Sequence, residues 1–259
     1  MKKKLSVNSL AVAFLLLMIP VTSQAGVCGP FREVVPDGRV SGPESVDSTS
    51  DLLVTFRVVP GRSYSVEVVQ TDFFNNIGLT VGPVNDTCPT TNVSGLVHTE
   101  SHDPVLDFSS ARRGSFVAGG AGTPFHVARI SMSSGTHPVT YSVSETTINS
   151  PAWSTNGTFD TFYSLQNTTR STVNVTITLL SLAGSTVDTG TASIAAGGTF
   201  STNTSASGLA TPRSQSGVMR ITHDGPPGAI LCEASIASFA ISPPFLQPVK
   251  CAAMREAAH

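Results

Sequence analysis

The chain has 259 residues, 15 of them basic and 17 acidic, for a formal charge of -2; charged residues make up 12% and hydrophobic residues 40%. A balance this close to neutral supplies no electrostatic drive toward nucleic acid or an anionic lipid surface, so no nucleic-acid partner is expected. Low charge combined with ample hydrophobicity also excludes an intrinsically disordered chain and suffices for real cores.

Residues 1–25 read as a secretory signal peptide of bacterial type. Lys2, Lys3 and Lys4 make a positive start, a short apolar run extends from Leu10 to Ile19, and Ser23-Gln24-Ala25 offers small residues for cleavage. Cleavage near Ala25 would leave a secreted or periplasmic protein. The apolar run is too short to span a bilayer and no later stretch approaches about twenty apolar residues, so no membrane span is expected. Cys28 lies just past the cut, but Val27 stands where a lipoprotein signal has Gly or Ala, which disfavours lipidation.

The four cysteines are Cys28, Cys88, Cys232 and Cys251. An even number in an exported chain favours disulfides, and four cysteines allow three pairings. Cys28–Cys88 with Cys232–Cys251 is preferred, because each bridge then stays within one half of the chain. No C-x-x-C pair exists, which disfavours a zinc ribbon or a redox dithiol.

Helical signals are nearly absent after the leader, whereas strand signals recur. Leu52, Val54, Phe56 and Val58 alternate with Leu53, Thr55 and Arg57; Pro60-Gly61-Arg62 then gives a turn, and Tyr64, Val66 and Val68 alternate with Ser65 and Glu67. The pattern predicts an antiparallel hairpin with one buried face. Ala128, Ile130 and Met132, then Ser134-Gly135-Thr136, then Val139, Tyr141 and Val143 repeat it. With weaker strands near 77–81 and 115–118, these elements predict a first β-sandwich within residues 26–148.

Residues 147–157 are rich in Ser, Asn and Thr and contain Pro151, which predicts a linker or domain-opening loop. Alternation restarts with Val173, Val175, Ile177 and Leu179 on one face. Further strands are predicted at 162–166, 186–194, 199–203, 217–223 and 230–238, separated by Gly-containing turns, giving a second sandwich over 149–245. Ile230, Cys232, Ala234 and Ile236 share a face by parity, so a Cys232–Cys251 bridge would draw the chain end back over that sandwich. Pro243-Pro244 is expected to end it, leaving 246–259 as a tail with a helical scrap or disorder at 252–258.

Residues that could carry chemistry are few. His98, Glu100, His102 and Asp103 form the densest polar cluster, but Pro104 follows and no further ligand can be named, so a solvated loop is favoured over a metal site. His223-Asp224 has half of a hydrolase triad, yet there is no G-x-S-x-G or H-E-x-x-H, and Asp224-Gly225 suits a turn. Asp72, Asn75, Asn76, Asn85 and Asp86 offer oxygen ligands without a calcium-loop pattern. Trp153 is the single tryptophan, placed to plug the joint between domains, and Phe73-Phe74 is the other aromatic feature, so a sugar-stacking groove has little support. Sequons begin at Asn85, Asn92, Asn156, Asn167, Asn174 and Asn203; with a bacterial leader they read as accidents of an Asn/Thr-rich surface.

The run Phe56-Arg57-Val58-Val59-Pro60-Gly61-Arg62-Ser63-Tyr64-Ser65-Val66-Glu67-Val68, with Pro138-Val139-Thr140-Tyr141-Ser142-Val143 as a closing strand, resembles the bacterial pre-peptidase C-terminal module over about residues 45–145. That resemblance implies a non-catalytic sandwich that aids secretion or localisation of secreted enzymes. Residues 157–245, around Tyr163-Ser164-Leu165-Gln166 and Val218-Met219-Arg220-Ile221, look like β-modules of exported bacterial proteins, which implies no chemistry. The resulting expectation is an all-β protein of two antiparallel sandwiches, Ig-like or jelly-roll-like. It would serve as a non-enzymatic binding or structural module without a cofactor or metal, its partner a protein, an envelope polymer or another copy of itself. A hydrolase and an adhesin or filament subunit are the alternatives.

Overall fold

A computed structural model describes residues 31–72, 77–83, 99–101, 110–119, 125–205, 209 and 211–253. Every regular element among them is a strand. In the first half these are β1 (Phe31–Val34), β2 (Asp37–Asp47), β3 (Leu52–Arg57), β4 (Ser63–Gln70), β5 (Ile77–Pro83), β6 (Thr99–Ser101), β7 (Ser110–Val117), β8 (Phe125–Met132) and β9 (Thr136–Glu145). In the second half they are β10 (Ile148–Ser154), β11 (Asp160–Asn167), β12 (Val173–Ser181), β13 (Thr186–Ile194), β14 (Thr199–Asn203), β15 (Ser216–His223), β16 (Ile230–Ser238), β17 (Phe245–Val249) and β18 (Ala252–Ala253). No described helix is long and apolar enough to cross a membrane.

The strands form four sheets in two sandwich-like pairs. The first half packs the order β1-β3-β8-β5 against β2-β9-β4-β7-β6, and the second packs β13-β12-β15-β10-β18 against β14-β11-β16-β17. Each pair encloses its own core. Phe56, Tyr64, Val68, Ile130 and Val143 belong to the first; Trp153, Leu165, Ile177, Leu179 and Met219 belong to the second. The pairing is antiparallel except for β1, which runs parallel to β3.

The hairpin expected around Pro60-Gly61-Arg62 does not form. β3 pairs with β1 and β8, whereas β4 pairs with β7 and β9 in the facing sheet. The chain arches across the core instead, so Val54 and Phe56 meet Tyr64 and Val66 from opposite sides. An arch and a hairpin leave the same alternating pattern, because both bury one side of each strand. The arch is tied to β7's end: Gly61 N donates to Ala118 O (2.9 Å), Ala118 N donates to Arg62 O (2.8 Å), and Val59 N donates to the Tyr64 hydroxyl (2.8 Å).

Two further expectations are corrected. The stretch 147–157 is chiefly strand: β10 sits beside β15, with a register shift between Ser150 and Trp153 that spans Pro151. A bulge admits a residue without an N–H into a sheet interior, and Ser150 and Trp153 are buried there. The chain end is neither helical scrap nor loose tail up to residue 253. Past Pro243-Pro244, β17 pairs with β16 and β18 pairs with β10. The Cys232–Cys251 disulfide, with a Cα–Cα distance of 5.7 Å, fastens this return. Parity holds for Ile230, Cys232 and Ala234, which pack on the core, and shifts at Ala237, buried in place of Ile236. Cys28 and Cys88 lie outside the described residues.

Trp153 is part of the second core rather than a plug between domains. It is 1% exposed, and its indole N–H faces Leu180 O (2.9 Å) and Val218 O (3.1 Å). Gly217 makes room for it: a Cβ there would stand 1.8 Å from Leu180 O and 2.9 Å from the indole nitrogen.

Candidate functional site

A cleft of about 630 Å³ lies where the two halves meet. Its floor is the outward face of the β4–β9 pair. There Glu67 stands opposite Ser142 and Ser65 opposite Ser144, by the same alternation that turns Val66 and Val143 into the core. Glu67, Ser142, Ser144 and Glu145 line the cleft, joined by Asp37 to Val40 from β2 and by His223, Pro227, Gly228 and Ile230 from the second half. β2 runs beside β9 in the same sheet, with a register shift between Asp37 and Val40 at the cleft. Gly38 has φ +80, and a Cβ on it would stand 3.1 Å from Ser144 Oγ, so this position suits glycine on two counts.

Beside the cleft the same face is sealed by the second half. Ser65 and Ser115 are buried although they point away from the first core. Ser115 Oγ lies 3.3 Å from Ser65 Oγ and 3.4 Å from Gly225 O. The connection between the halves is just Thr146 and Thr147, both buried. Thr146 N donates to Ser63 O (2.8 Å), Thr146 Oγ1 donates to Ser63 Oγ (2.9 Å), and Ser63 N donates to Thr147 Oγ1 (2.9 Å). Hydroxyls thus satisfy the backbone groups that burial would leave stranded.

Each acidic residue around the cleft meets a guanidinium. Glu145, whose side chain is fully buried, meets Arg62 at 3.1 Å; Glu67 meets Arg113 at 3.0 Å; Asp37 meets Arg39 at 3.0 Å. Only Glu145 meets its guanidinium at both oxygens; the Glu67 pair rests on one contact, and in the Asp37 pair Arg39 is largely exposed.

His223 ends β15 and is 2% exposed. Burial pushes its pKa down to about 4; the Asp224 charge and the nearby backbone of Thr146 and Gly225 oppose this without reversing it. Its Nδ1 makes no hydrogen bond. Asp224 does not orient the ring. Its Oδ1 accepts from Asn174 N and its Oδ2 from Asn174 Nδ2, both at 2.7 Å. The His223-Asp224 half-triad therefore separates into a buried neutral imidazole and a carboxylate that latches β12.

The other sequence candidates divide similarly. Asp72 accepts from Gln70 Nε2 (2.6 Å) and contacts His137 Nδ1 (2.5 Å), so its oxygens serve a local network. Asn75, Asn76, Asn85, Asp86, Phe73 and Phe74 lie outside the described residues, as do His98, His102 and Asp103; Glu100 is described only as a backbone position in β6, opposite Arg113. Among the described residues no three His, Cys, Asp or Glu side chains are grouped to hold a metal ion. Trp153 is too deeply buried to stack on a sugar. The sequon residue Asn167 is 0% exposed, and its Nδ2 lies 2.7 Å from Ser171 O and 2.9 Å from Ile194 O.

Sequence reasoning missed the cleft itself. The available signal was the size of the residues on the polar side of the alternation: Ser63, Ser65, Ser115, Ser142 and Ser144 stand where a solvated strand face more often carries long charged side chains. The chain matches no known family model and no curated protein sequence.

Proposed function

We propose that this chain is an exported, non-enzymatic binding module of the bacterial envelope or exterior, and that its partner, a protein or an envelope polymer, engages the cleft between the two sandwiches. The observation that carries this reading is that the acidic residues around the cleft are all paired: the Glu145 side chain is buried against Arg62, and Glu67 and Asp37 meet Arg113 and Arg39 at its surface. A general acid or base must exchange protons with substrate, and a nucleophile needs a base within hydrogen-bond reach. Glu67 and the serines beside it instead make a polar surface, and junctions between domains are frequent ligand sites. The Cys232–Cys251 bridge supports an oxidising compartment. The leader-like residues 1–25 and the resemblance of residues 45–145 to secretion-associated modules support the same reading.

The test has two arms. The full chain is expressed in a Gram-negative host, and the exported product is weighed by mass spectrometry; a product beginning at Gly26 in the periplasm or medium is expected. The purified protein is then titrated with envelope glycan fragments and extended peptides, alongside Ser142→Trp, which projects a large side chain from the cleft floor. Saturable binding by the parent chain that the variant loses supports the proposal. Turnover of an ester, peptide or glycoside that His223→Ala abolishes overturns it.

A further inference from the structure

One Asn-Gly step occurs in the sequence, Asn156-Gly157. It lies in the turn from β10 into β11, which closes with Phe159 N donating to Asn156 O (3.0 Å). Gly157 takes the first central position at φ +58, the conformation that a type II′ turn requires there. Asn156, Gly157 and Thr158 are all exposed. Among the described residues neither the Asn156 carboxamide nor the Gly157 N–H has a hydrogen-bond partner. The space beside Gly157 is open: a Cβ there would meet nothing within 4 Å. The other described asparagines differ. Asn167 Nδ2 donates to Ser171 O (2.7 Å), Asn174 Nδ2 donates to Asp224 (2.7 Å), Asn203 Oδ1 accepts from Ser205 N (2.8 Å), and Asn149 Nδ2 is buried. Each of these precedes Ser, Thr or Val, whose side chain crowds the following N–H. Asp37 and Asp224 also precede glycine, but Asp37 is paired with Arg39 and Asp224 is bonded to Asn174.

We propose that Asn156 is a site of spontaneous deamidation in the folded protein, a covalent change that turns a neutral β10–β11 turn into an acidic one. The Gly157 nitrogen, its proton taken by hydroxide, attacks Cγ of Asn156. The Cγ–N bond forms as the Cγ–Nδ2 bond breaks, and Nδ2 leaves as ammonia with a proton from water. Water then opens the resulting succinimide. Attack at Cγ gives aspartate at position 156; attack at the main-chain carbonyl carbon gives isoaspartate, with the backbone rerouted through Cβ and Cγ. One water is consumed, one ammonia is released, and no electrons are exchanged. Glycine is decisive because no Cβ shields the attacking nitrogen and the backbone rotates freely toward the ring geometry. The fold opposes ring closure chiefly through the Asn156 O–Phe159 N turn bond. That bond is solvent-exposed, so breaking it slows the folded chain by no more than roughly tenfold. The other brace of this turn survives cyclisation. Arg213 donates to Gly157 O (2.8 Å) and pairs with Asp160 (2.5 Å), and neither contact involves an atom of the ring. Isoaspartate lengthens the main chain by one carbon inside the turn, which breaks the match between Phe159 N and Asn156 O and adds a carboxylate to the segment that Arg213 holds.

The experiment incubates the intact exported protein in mildly alkaline buffer made with oxygen-18 water, resolves the products by anion exchange, and maps them by mass spectrometry with electron-transfer fragmentation. A more acidic species should grow with time and faster at higher pH. Position 156 should carry one solvent-derived oxygen in place of its amide nitrogen, with isoaspartate present beside aspartate. Asn149, Asn167, Asn174 and Asn203 should convert at least about tenfold more slowly, since their amides are bonded or buried and their following nitrogens are shielded. In guanidinium chloride the rate at Asn156 should rise by no more than roughly tenfold, the cost of the single turn bond. Asn156→Gln, which would have to close a larger ring, should lose the acidic species and keep the parent's urea midpoint. Conversion at Asn156 no faster than at Asn174 or Asn203 overturns the proposal. An acidic species that persists in Asn156→Gln overturns it too, as does aspartate formed without isoaspartate, which would mean direct hydrolysis with no ring.

Discussion

Removing the Cys232–Cys251 bridge tests how the second sandwich is held together. The bridge closes a loop with a sequence separation of 19 residues, joining the first part of β16 to the segment between β17 and β18. Chain-entropy arithmetic for a loop of that size gives about 3 kcal/mol of stabilisation, acting mainly by restricting the unfolded chain. The Cys232→Ala/Cys251→Ala double variant is the right perturbation, because it removes this bridge and leaves Cys28 and Cys88 as they are. Trp153 is the single tryptophan and lies in the second core, so its fluorescence reports this sandwich alone. With a urea dependence of about 1.5 kcal/mol per molar for a domain of this size, the fluorescence midpoint should fall by about 2 M. Unfolding of the first sandwich, followed through exchange of the β4 and β9 amides, should move far less. A fluorescence midpoint within about 0.3 M of the parent would refute the loop-closure argument. Equal shifts in both halves would refute the assignment of the bridge to one core.

Three other perturbations separate the remaining forces. Glu145→Ala removes a buried partner and leaves Arg62 largely desolvated, which should cost about 2–4 kcal/mol in urea unfolding, whereas Arg32→Ala, at the exposed Arg32–Glu44 pair, should cost about 0–1; equal costs would contradict the burial argument. His223 has a folded pKa of about 4 against an ordinary value of 6.5, so the unfolded chain binds the extra proton between those limits. Its contribution is complete above pH 6.5 and is lost as pH falls toward 4, by roughly 3 kcal/mol, and His223→Gln should flatten the parent's pH dependence in that window. Gly217→Ala drives a methyl group onto Leu180 O, which should cost about 2–4 kcal/mol and red-shift the Trp153 emission; an unchanged spectrum and midpoint would show that β15 yields there without strain.

Much of the strand content was legible because one buried face imposes period-two alternation. Val173, Val175, Ile177 and Leu179 announced β12, and all four are buried. Which strands pair was not legible, because alternation marks a strand's buried side and not its neighbour. Tyr64 turns inward in an arch just as it would in a hairpin. β10 escaped because its bulge breaks the alternation and Ser150 is polar yet buried. β17 escaped for the opposite reason: its residues are exposed on both faces through most of its length, so no alternation exists to read. The half-triad failed on orientation. Adjacent residues at a strand end point apart, and Asp224 found Asn174 rather than the imidazole beside it in sequence.

The cleft follows from how two cores share one surface. The β4–β9 pair turns Val66, Val68, Tyr141 and Val143 into the first core, so its other face must meet water or a second layer. A connection of two buried threonines, hydrogen-bonded to Ser63 at the start of β4, brings the second sandwich directly onto that face. Small serines admit the turn around Gly225 at one point; farther along, the longer Glu67, drawn to Arg113, borders a polar gap. Both threonines of the connection are hydrogen-bonded to Ser63, while the three ion pairs join residues of the first half to one another. On the proposed reading of the cleft as a binding site, a partner meets a first-half floor whose side chains are already paired, which lowers the ordering cost of binding there.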